Sequence, residues 1–172
     1  MNLATTDNAS SRNPAAAAAS PILRVEDLVV TYYTDLGRAR ALDNVSFTLE
    51  AGMKMGMVGE SGSGKSTLAL AMMRMIKPPG RIEGGHVWVG GTDLQSLNDE
   101  GMRKARLSKI AYIPQGAMNS LNPVTRIGEQ MVDAIKSHLS GESRQAINDR
   151  CVWALKSVDL DPGVFHMYAH EL

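Results

Sequence analysis

The stretch Gly59-Glu60-Ser61-Gly62-Ser63-Gly64-Lys65-Ser66-Thr67 satisfies the pattern G-x-x-x-x-G-K-[ST] at every fixed position. Its flanks suit the same reading. Met53-Lys54-Met55-Gly56-Met57-Val58 reads as a buried strand ahead of it. Ser66 to Ile76 reads as a helix behind it, with Leu68, Met72, Met75 and Ile76 on one face. A glycine-rich turn between strand and helix aims successive backbone N–H groups into one concavity. The helix N-terminus adds partial positive charge there. The natural occupant of such a loop is a polyphosphate.

The chain has 172 residues, enough for a domain with a real core. Lys plus Arg and Asp plus Glu number 18 each, so bulk charge gives no pointer to nucleic acid. The single cysteine, Cys151, rules out an internal disulfide and suits a reducing compartment. It lies on the apolar face of a predicted helix and reads as a buried, inert thiol. His86, His138, His166 and His170 lack metal-ligand spacing with Cys or carboxylates. No apolar run approaches the roughly 20 residues that span a bilayer, and the N-terminus lacks a secretory pattern.

Residues 1–21 are rich in Ala, Ser, Asn and Thr and read as a flexible tail. Ile22 to Tyr33 reads as a strand, Thr34–Arg38 as a turn, and Val45–Leu49 as a half-buried strand of period two. Two antiparallel strands ahead of a buried, parallel one imply a mixed α/β core. His86–Val89 and Ile110–Ile113 read as further short strands, with a polar helix over Asn98–Leu107 between them. Gln115 follows Pro114 at the C-terminal end of the last strand, where α/β folds place ligand contacts. Two amphipathic helices come next. One carries Ile127, Met131, Ala134, Ile135 and Leu139; the other Ile147, Cys151, Ala154, Leu155 and Val158. The expected division is a nucleotide-binding core over 22–115 and a helical subdomain over 116–172.

The order of phosphate loop, Tyr112-Ile113-Pro114-Gln115, Asn119-Ser120-Leu121-Asn122-Pro123 and Gly128-Glu129-Gln130 resembles the ATP-binding cassette proteins. More narrowly, it resembles ATPase subunits of oligopeptide, dipeptide and nickel importers, from Ile22 to Leu172. The resemblance implies an α/β, RecA-like P-loop NTPase core with an N-terminal antiparallel β portion and a helical subdomain. It also implies ATP and Mg²⁺ as ligands. Under it, the backbone of Gly59, Glu60, Ser61, Gly62, Ser63 and Gly64 wraps the β-phosphate. Lys65 reaches the β- and γ-phosphates, Ser66 ligates Mg²⁺, and Thr67 touches the α-phosphate. Tyr32 stacks on adenine, with Tyr33 as the fallback. Gln115 contacts Mg²⁺ or the attacking water. Met118–Pro123 resembles the surface that grips a coupling helix of the membrane subunit.

The implied partners are integral membrane permease subunits, a second ATPase subunit (the same chain or a related one) and, indirectly, an extracytoplasmic solute-binding protein. The implied location is peripheral, on the cytoplasmic face of the membrane. Two departures stand out: Gly116-Ala117 replaces the family's acidic residue and proline, and Ala169 stands where Tyr-Pro-His-Glu-Leu has its proline. Glu171-Leu172 aligns just before the family's Ser-Gly-Gly signature. The signature, the strand Asp, the catalytic Glu and the switch His are therefore expected beyond it. The reading that follows is a truncated cassette that folds poorly and turns over little ATP alone. The alternative is a non-catalytic nucleotide-binding fragment that pairs with an intact cassette. A nucleotide kinase is a third reading, opposed by Gln115 and the two helices after it; a DNA-repair cassette is a fourth, opposed by the missing coiled-coil insertion.

Overall fold

The computed structural model describes residues 20–116, 120–139 and 141–172, and the backbone of 2–4. It divides into two compact units, Met1–Tyr112 and Ile113–Leu172.

In the first unit, strands β1 (Asn2–Ala4), β2 (Leu23–Thr34), β3 (Gly37–Leu49) and β4 (Gly56–Val58) precede helix α1 (Lys65–Met72). Strands β5 (Gly80–Val89) and β6 (Thr92–Asp93) and helix α2 (Asp99–Ser108) follow. The main sheet runs β3-β2-β5-β6, antiparallel throughout. Its register sets Val25 against Phe47 on one side and Val87 on the other. The pairing shifts near Asp27, whose backbone turns to φ 47°. There the Asp27 amide donates to the Ser46 hydroxyl (2.8 Å), which donates back to Asp27 Oδ1 (3.1 Å). A side-chain pair thus takes over from the ladder at the bulge.

One face of this sheet supplies Val25, Leu28, Val30, Leu42, Val87 and Val89 to the core. Helix α1 adds Leu68 and Ala71, and α2 adds Met102 and Ala105. Leu28, Val30, Leu68, Ala71 and Val87 are fully buried. Burying a side chain the size of Leu68 stabilises by about 1.5–3 kcal/mol, so α1 is held by packing and not by its own propensity at eight residues.

Several local expectations are corrected. The strand expected over Met53–Val58 is confined to Gly56–Val58, and its partner is β1, antiparallel. A parallel neighbour for it is not present among the described residues. Asn2–Ala4 is therefore strand and not tail; 5–19 lie outside the described residues. Helix α1 stops at Met72, short of Ile76. Arg74 turns to φ 49°, and the Arg106 guanidinium donates to the Met73 and Arg74 carbonyls (3.1–3.2 Å), satisfying the helix end early. Strand β5 begins at Gly80, well before His86, because pairing with β2 outweighs the glycines. Ile110–Ile113 forms no strand; Ile110 makes one isolated bridge to Arg106.

The second unit contains helices α3 (Ile127–Lys136) and α4 (Arg144–Ser157) and two short 3-10 turns, Pro162–His166 and Ala169–Glu171. Ser143 caps α4 through its hydroxyl, which accepts from the Ala146 amide. Ile127, Leu155 and Val164 form the buried centre, with Leu121, Met131, Phe165 and Met167 packed against it. Gly128 is buried where a Cβ would stand 2.5 Å from the Phe165 carbonyl oxygen and 2.6 Å from its ring. Only glycine lets the start of α3 approach that closely.

Candidate phosphate-binding site

The site is built where β4 runs through residues 59–64 into α1. The Ser63 amide donates to the Glu60 carbonyl (3.2 Å), closing a turn inside the loop. Gly64 is the helix N-cap with φ 91°, a left-handed conformation costly for any residue with a Cβ. Space imposes the same demand. A Cβ on Gly64 would lie 2.7 Å from the Ala41 carbonyl oxygen and 3.3 Å from Leu42 Cδ2. Strand β3 is thus the seat on which the end of the loop rests.

Helix α1 begins without a side-chain cap and without an acidic residue in its first turn. The Leu68 amide closes the first helical bond onto the Gly64 carbonyl at 2.8 Å. Among the described residues, no acceptor meets the amides of Lys65, Ser66 or Thr67, nor do the hydroxyls of Ser66 and Thr67 have a partner. Arg106 stands at the opposite end of the helix on its last carbonyls. The helix dipole is therefore matched by a cation at its C-terminus and left open to an anion at its N-terminus.

Lys65 folds back across the loop. Its ammonium donates to the carbonyl oxygens of Gly59 (2.8 Å) and Glu60 (2.6 Å) and to Ser63 Oγ (3.2 Å). No carboxylate lies within ion-pair distance of it among the described residues. A cation, open amides and a helix N-terminus converge, and this donor set fits a polyphosphate. Ser63 also lines a cavity of ≈ 440 Å³ walled by Arg40–Ser46 of β3, a volume within the usual range for small-molecule sites.

For the metal, Ser66 offers one exposed hydroxyl oxygen at the same helix end. That suits Mg²⁺, which keeps waters and substrate phosphates in its shell and takes few protein ligands. No cluster of three or more His, Cys, Asp or Glu occurs among the described residues.

The two tyrosines of β2 differ in their surroundings. Tyr32 is half-buried against the core, opposite Ala39 and Gly80, with its ring edge where a Gly80 Cβ would fall. Tyr33 donates through its hydroxyl to Glu83 Oε1 (3.0 Å) and carries the guanidinium groups of Arg38 and Arg81 on its ring, each 5.4 Å from the centroid. Gln115 is exposed in the turn it makes with Gly116, at the start of the second unit. Residues 59–67 and Tyr32 belong to the first unit. Of the loop expected to face a membrane subunit, 117–119 lie outside the described residues.

The Ala41–Leu42 seat was not anticipated from sequence, since no motif links Gly64 to strand residues 22 and 23 positions before it. Arg106 was likewise unforeseen; nothing in its local pattern marks a side chain that reaches back to α1.

A strand, a glycine-rich loop that admits no Cβ at its end, and a helix with a lysine at its mouth define a phosphate-loop domain of the α/β class. A family model described as ABC transporter matches residues 42–168. The chain belongs to the ABC transporter family.

Among similar proteins is the dipeptide transport ATP-binding protein DppD of Caldanaerobacter subterraneus subsp. tengcongensis (strain DSM 15242 / JCM 11007 / NBRC 100824 / MB4). It is 36% identical over 154 residues, 89% of this chain and 47% of that protein. The oligopeptide transport ATP-binding protein OppD of Escherichia coli (strain K12) is 37% identical over 155 residues, covering 89% and 45%. The chain thus spans about half the length of the curated relatives it matches. A dimeric ATP-binding cassette in a post-hydrolysis state, bound to ADP and Pi, superposes with TM-score 0.71 at 21% identity, over 87% of this chain and 62% of that one. A second dimeric structure of a bacterial ABC transporter cassette gives TM-score 0.68 at 24% identity over the same shares. The fold is therefore that of the α/β ATP-binding cassettes.

Proposed function

We propose that this chain is the ATP-binding part of an ABC importer subunit for peptides, with nickel as the alternative cargo. ATP binding and hydrolysis would drive transport by membrane-embedded permease subunits. The observation that carries the reading is the Lys65 ammonium held across the loop beside the open N-terminus of α1. The relatives named for dipeptide and oligopeptide transport support the cargo class.

The roles are those the family resemblance implies, and the donor set of the loop is consistent with them. Backbone amides of 59–64 and the N-terminus of α1 hold the β-phosphate. Lys65 exchanges its carbonyl partners for β- and γ-phosphate oxygens, a stronger charge-assisted contact. Ser66 supplies one oxygen to Mg²⁺, and Thr67 reaches the α-phosphate. Held there by Ser66, Mg²⁺ would supply neutralisation of the charge that develops on the transferred phosphoryl group. Tyr32 is the adenine platform in this reading, and Tyr33 the fallback. Gln115 contacts Mg²⁺ or the attacking water; as a neutral amide it orients water without competing with the phosphate for the cation. A second ATPase subunit pairs with this one, a solute-binding protein delivers cargo from outside, and the location is the cytoplasmic face of the membrane. The division into a core over 22–115 and a helical subdomain over 116–172 belongs to the same proposal.

Equilibrium titration with Mg-ATP, ADP, AMP and adenosine tests the phosphate reading. Affinity is expected to fall steeply once the β-phosphate is lost. Adenosine binding as tightly as ATP would contradict it. In an importer complex containing this chain, added peptide and solute-binding protein should raise ATP turnover; raised turnover with nickel and not with peptide would transfer the cargo assignment to the metal.

A further inference from the structure

Along β2, Tyr32 packs against the core, while Thr31 and Tyr33 on either side of it point to the outer face of the sheet, because side chains alternate along a strand. The register gathers charge on that outer face. Thr31 stands opposite Arg40 of β3 and opposite Arg81 of β5, and Tyr33 stands opposite Arg38. Residues directly opposite share a face. Three arginines from the two flanking strands therefore surround one threonine and one tyrosine. The Tyr33 ring carries the Arg38 and Arg81 guanidinium groups, each 5.4 Å from its centroid, and its hydroxyl donates to Glu83.

Thr31, Tyr33, Arg38, Arg40 and Glu83 line a cavity of ≈ 250 Å³. Two features point to an occupant. Thr31 is only 5% exposed, yet its hydroxyl has no hydrogen-bond partner among the described residues. A buried hydroxyl left unmet is costly, and valine would fill the same space without that cost. The second feature is unbalanced charge. Arg40 has Asp43 at 2.9 Å, but neither Arg38 nor Arg81 has a carboxylate within ion-pair distance among the described residues. Two like charges on one ring repel, and an anion shared between them removes the repulsion.

The chemistry of the donors selects the anion. A guanidinium fork matches the oxygens of phosphate or carboxylate, and Thr31 adds one hydroxyl donor. These donors come from three strands, which suits a tetrahedral group with three free oxygens better than a planar carboxylate with two. Two unpaired cations also match a phosphate monoester, whose charge is about −1.5 to −2 at neutral pH. We propose that the outer face of β3-β2-β5 holds a second anion site, for a phosphate monoester, with Arg38, Arg81 and Thr31 as its donors. It lies across β2 from Tyr32 and is independent of the importer reading. Glu83 lines the same cavity and opposes the ligand's charge, so it tempers the affinity.

The test titrates glycerol 3-phosphate into the intact protein, with Mg²⁺ and a non-hydrolysable ATP analogue in excess so that residues 59–67 do not compete for the ester. NMR follows backbone amides and arginine Nε–H signals, and shifts are expected at Thr31, Tyr33, Arg38 and Arg81. Arg38→Ala and Arg81→Ala should each weaken binding at least about tenfold, and Thr31→Val about threefold to tenfold. Glu83→Gln keeps an acceptor for the Tyr33 hydroxyl and removes the opposing charge, so it should tighten binding several-fold. Mg-ATP affinity should stay within about twofold of the parent in all four. Acetate should bind at least about tenfold more weakly than the ester. Phosphatidylcholine vesicles with and without phosphatidic acid separate the sources of the phosphate. Retention that needs both phosphatidic acid and Arg38 assigns a lipid headgroup; binding of the soluble ester alone assigns a free metabolite; both support the site. Equal shifts with sodium chloride at matched ionic strength, acetate binding as tightly as the ester, or parental affinity in Arg38→Ala and Arg81→Ala overturns the inference. If an arginine variant does not fold, Thr31→Val decides, since it keeps the shape of the strand and removes only the hydroxyl.

Discussion

The Lys65 ammonium lies 2.6 Å from the Glu60 carbonyl oxygen, a bond that ties the first residue of α1 to the second residue of its own loop. With the Gly59 carbonyl and Ser63 Oγ as further acceptors, the lysine closes the loop on itself. Lys65 therefore has two tasks, holding the loop's shape and meeting the ligand's charge. Lys65→Ala removes both, and Mg-ATP affinity should drop at least about 100-fold, the scale of losing charge-assisted hydrogen bonds. Lys65→Arg keeps the charge, yet its planar fork does not reproduce a point ammonium between two carbonyls, so it should recover only part of the loss. Isothermal titration calorimetry reads both. Unchanged affinity in Lys65→Ala would remove the basis of the functional reading.

A second relationship sets the loop's tolerance to change. Gly64 has φ 91°, and its missing Cβ would lie 2.7 Å from the Ala41 carbonyl oxygen. Gly64→Ala combines left-handed strain of roughly 1–2 kcal/mol with a clash against backbone, which cannot rotate away. Gly62 shares a positive φ of 81° but has nothing within 4 Å of its Cβ position, so Gly62→Ala keeps the strain and lacks the clash. Urea unfolding should rank Gly64→Ala as the less stable of the two by more than about 1 kcal/mol. Equal stabilities would mean that β3 does not support the loop.

Those two relationships mark what the sequence could and could not reveal. The phosphate loop was legible because its chemistry is local: glycines, a lysine and a hydroxyl at fixed spacing between a strand and a helix. The period-two run Val45–Leu49 and the inner parts of the α3 and α4 stripes were legible for the same reason, as each pattern repeats within one element; Leu139 and Val158, expected on those stripes, fall beyond the helix ends and are 38% and 63% exposed. Contacts made at a distance were hidden. The seat of Gly64 on Ala41 depends on how β3 registers against β2. The early stop of α1 depends on Arg106, 33 residues beyond Met73. Ile110–Ile113 has the composition of a strand, but strand formation needs a neighbour, and only the Arg106 bridge is present among the described residues. The Gln130 side chain bonds to the Asn122 backbone from helix to loop, where no periodicity connects the two.

Helix α2 carries a surface pair whose pH response can be stated with its sign. Arg103 grips Glu100 through Nε (2.8 Å) and a terminal nitrogen (2.8 Å), with Lys104 at 3.6 Å. The hydrogen bonds from Arg103 hold the Glu100 carboxyl down to about 2, below the usual carboxylate range. A carboxyl lowered on folding favours the folded state above its unfolded pKa, near 4.3. That contribution fades as pH falls from there toward 2. Being exposed, the pair is open to screening by salt. Carboxyl NMR titration should place the Glu100 midpoint well below that of an unpaired glutamate. Arg103→Ala should return it toward the ordinary range, and an unmoved midpoint would dissociate the shift from Arg103.

Cys151 reports on the packing of the second unit. It is fully buried on α4, and burial raises its thiol pKa. A raised folded pKa means the unfolded thiol ionises first as pH rises. Stability from this group is therefore complete below about pH 8.5 and declines above it. Reactivity follows the same logic, because the thiolate is the nucleophile and the folded state both hides it and disfavours it. Labelling of native protein by an aromatic disulfide reagent at pH 8 should be at least about 100-fold slower than in denaturant, limited by opening of the unit. Cys151→Ser puts a hydroxyl where an apolar group sat, and without a partner this should cost about 1–3 kcal/mol. In the parent chain, the labelling rate and the loss of helix signal in urea should track each other. Rapid labelling of the native chain would place Cys151 at the surface and require a different packing for α4.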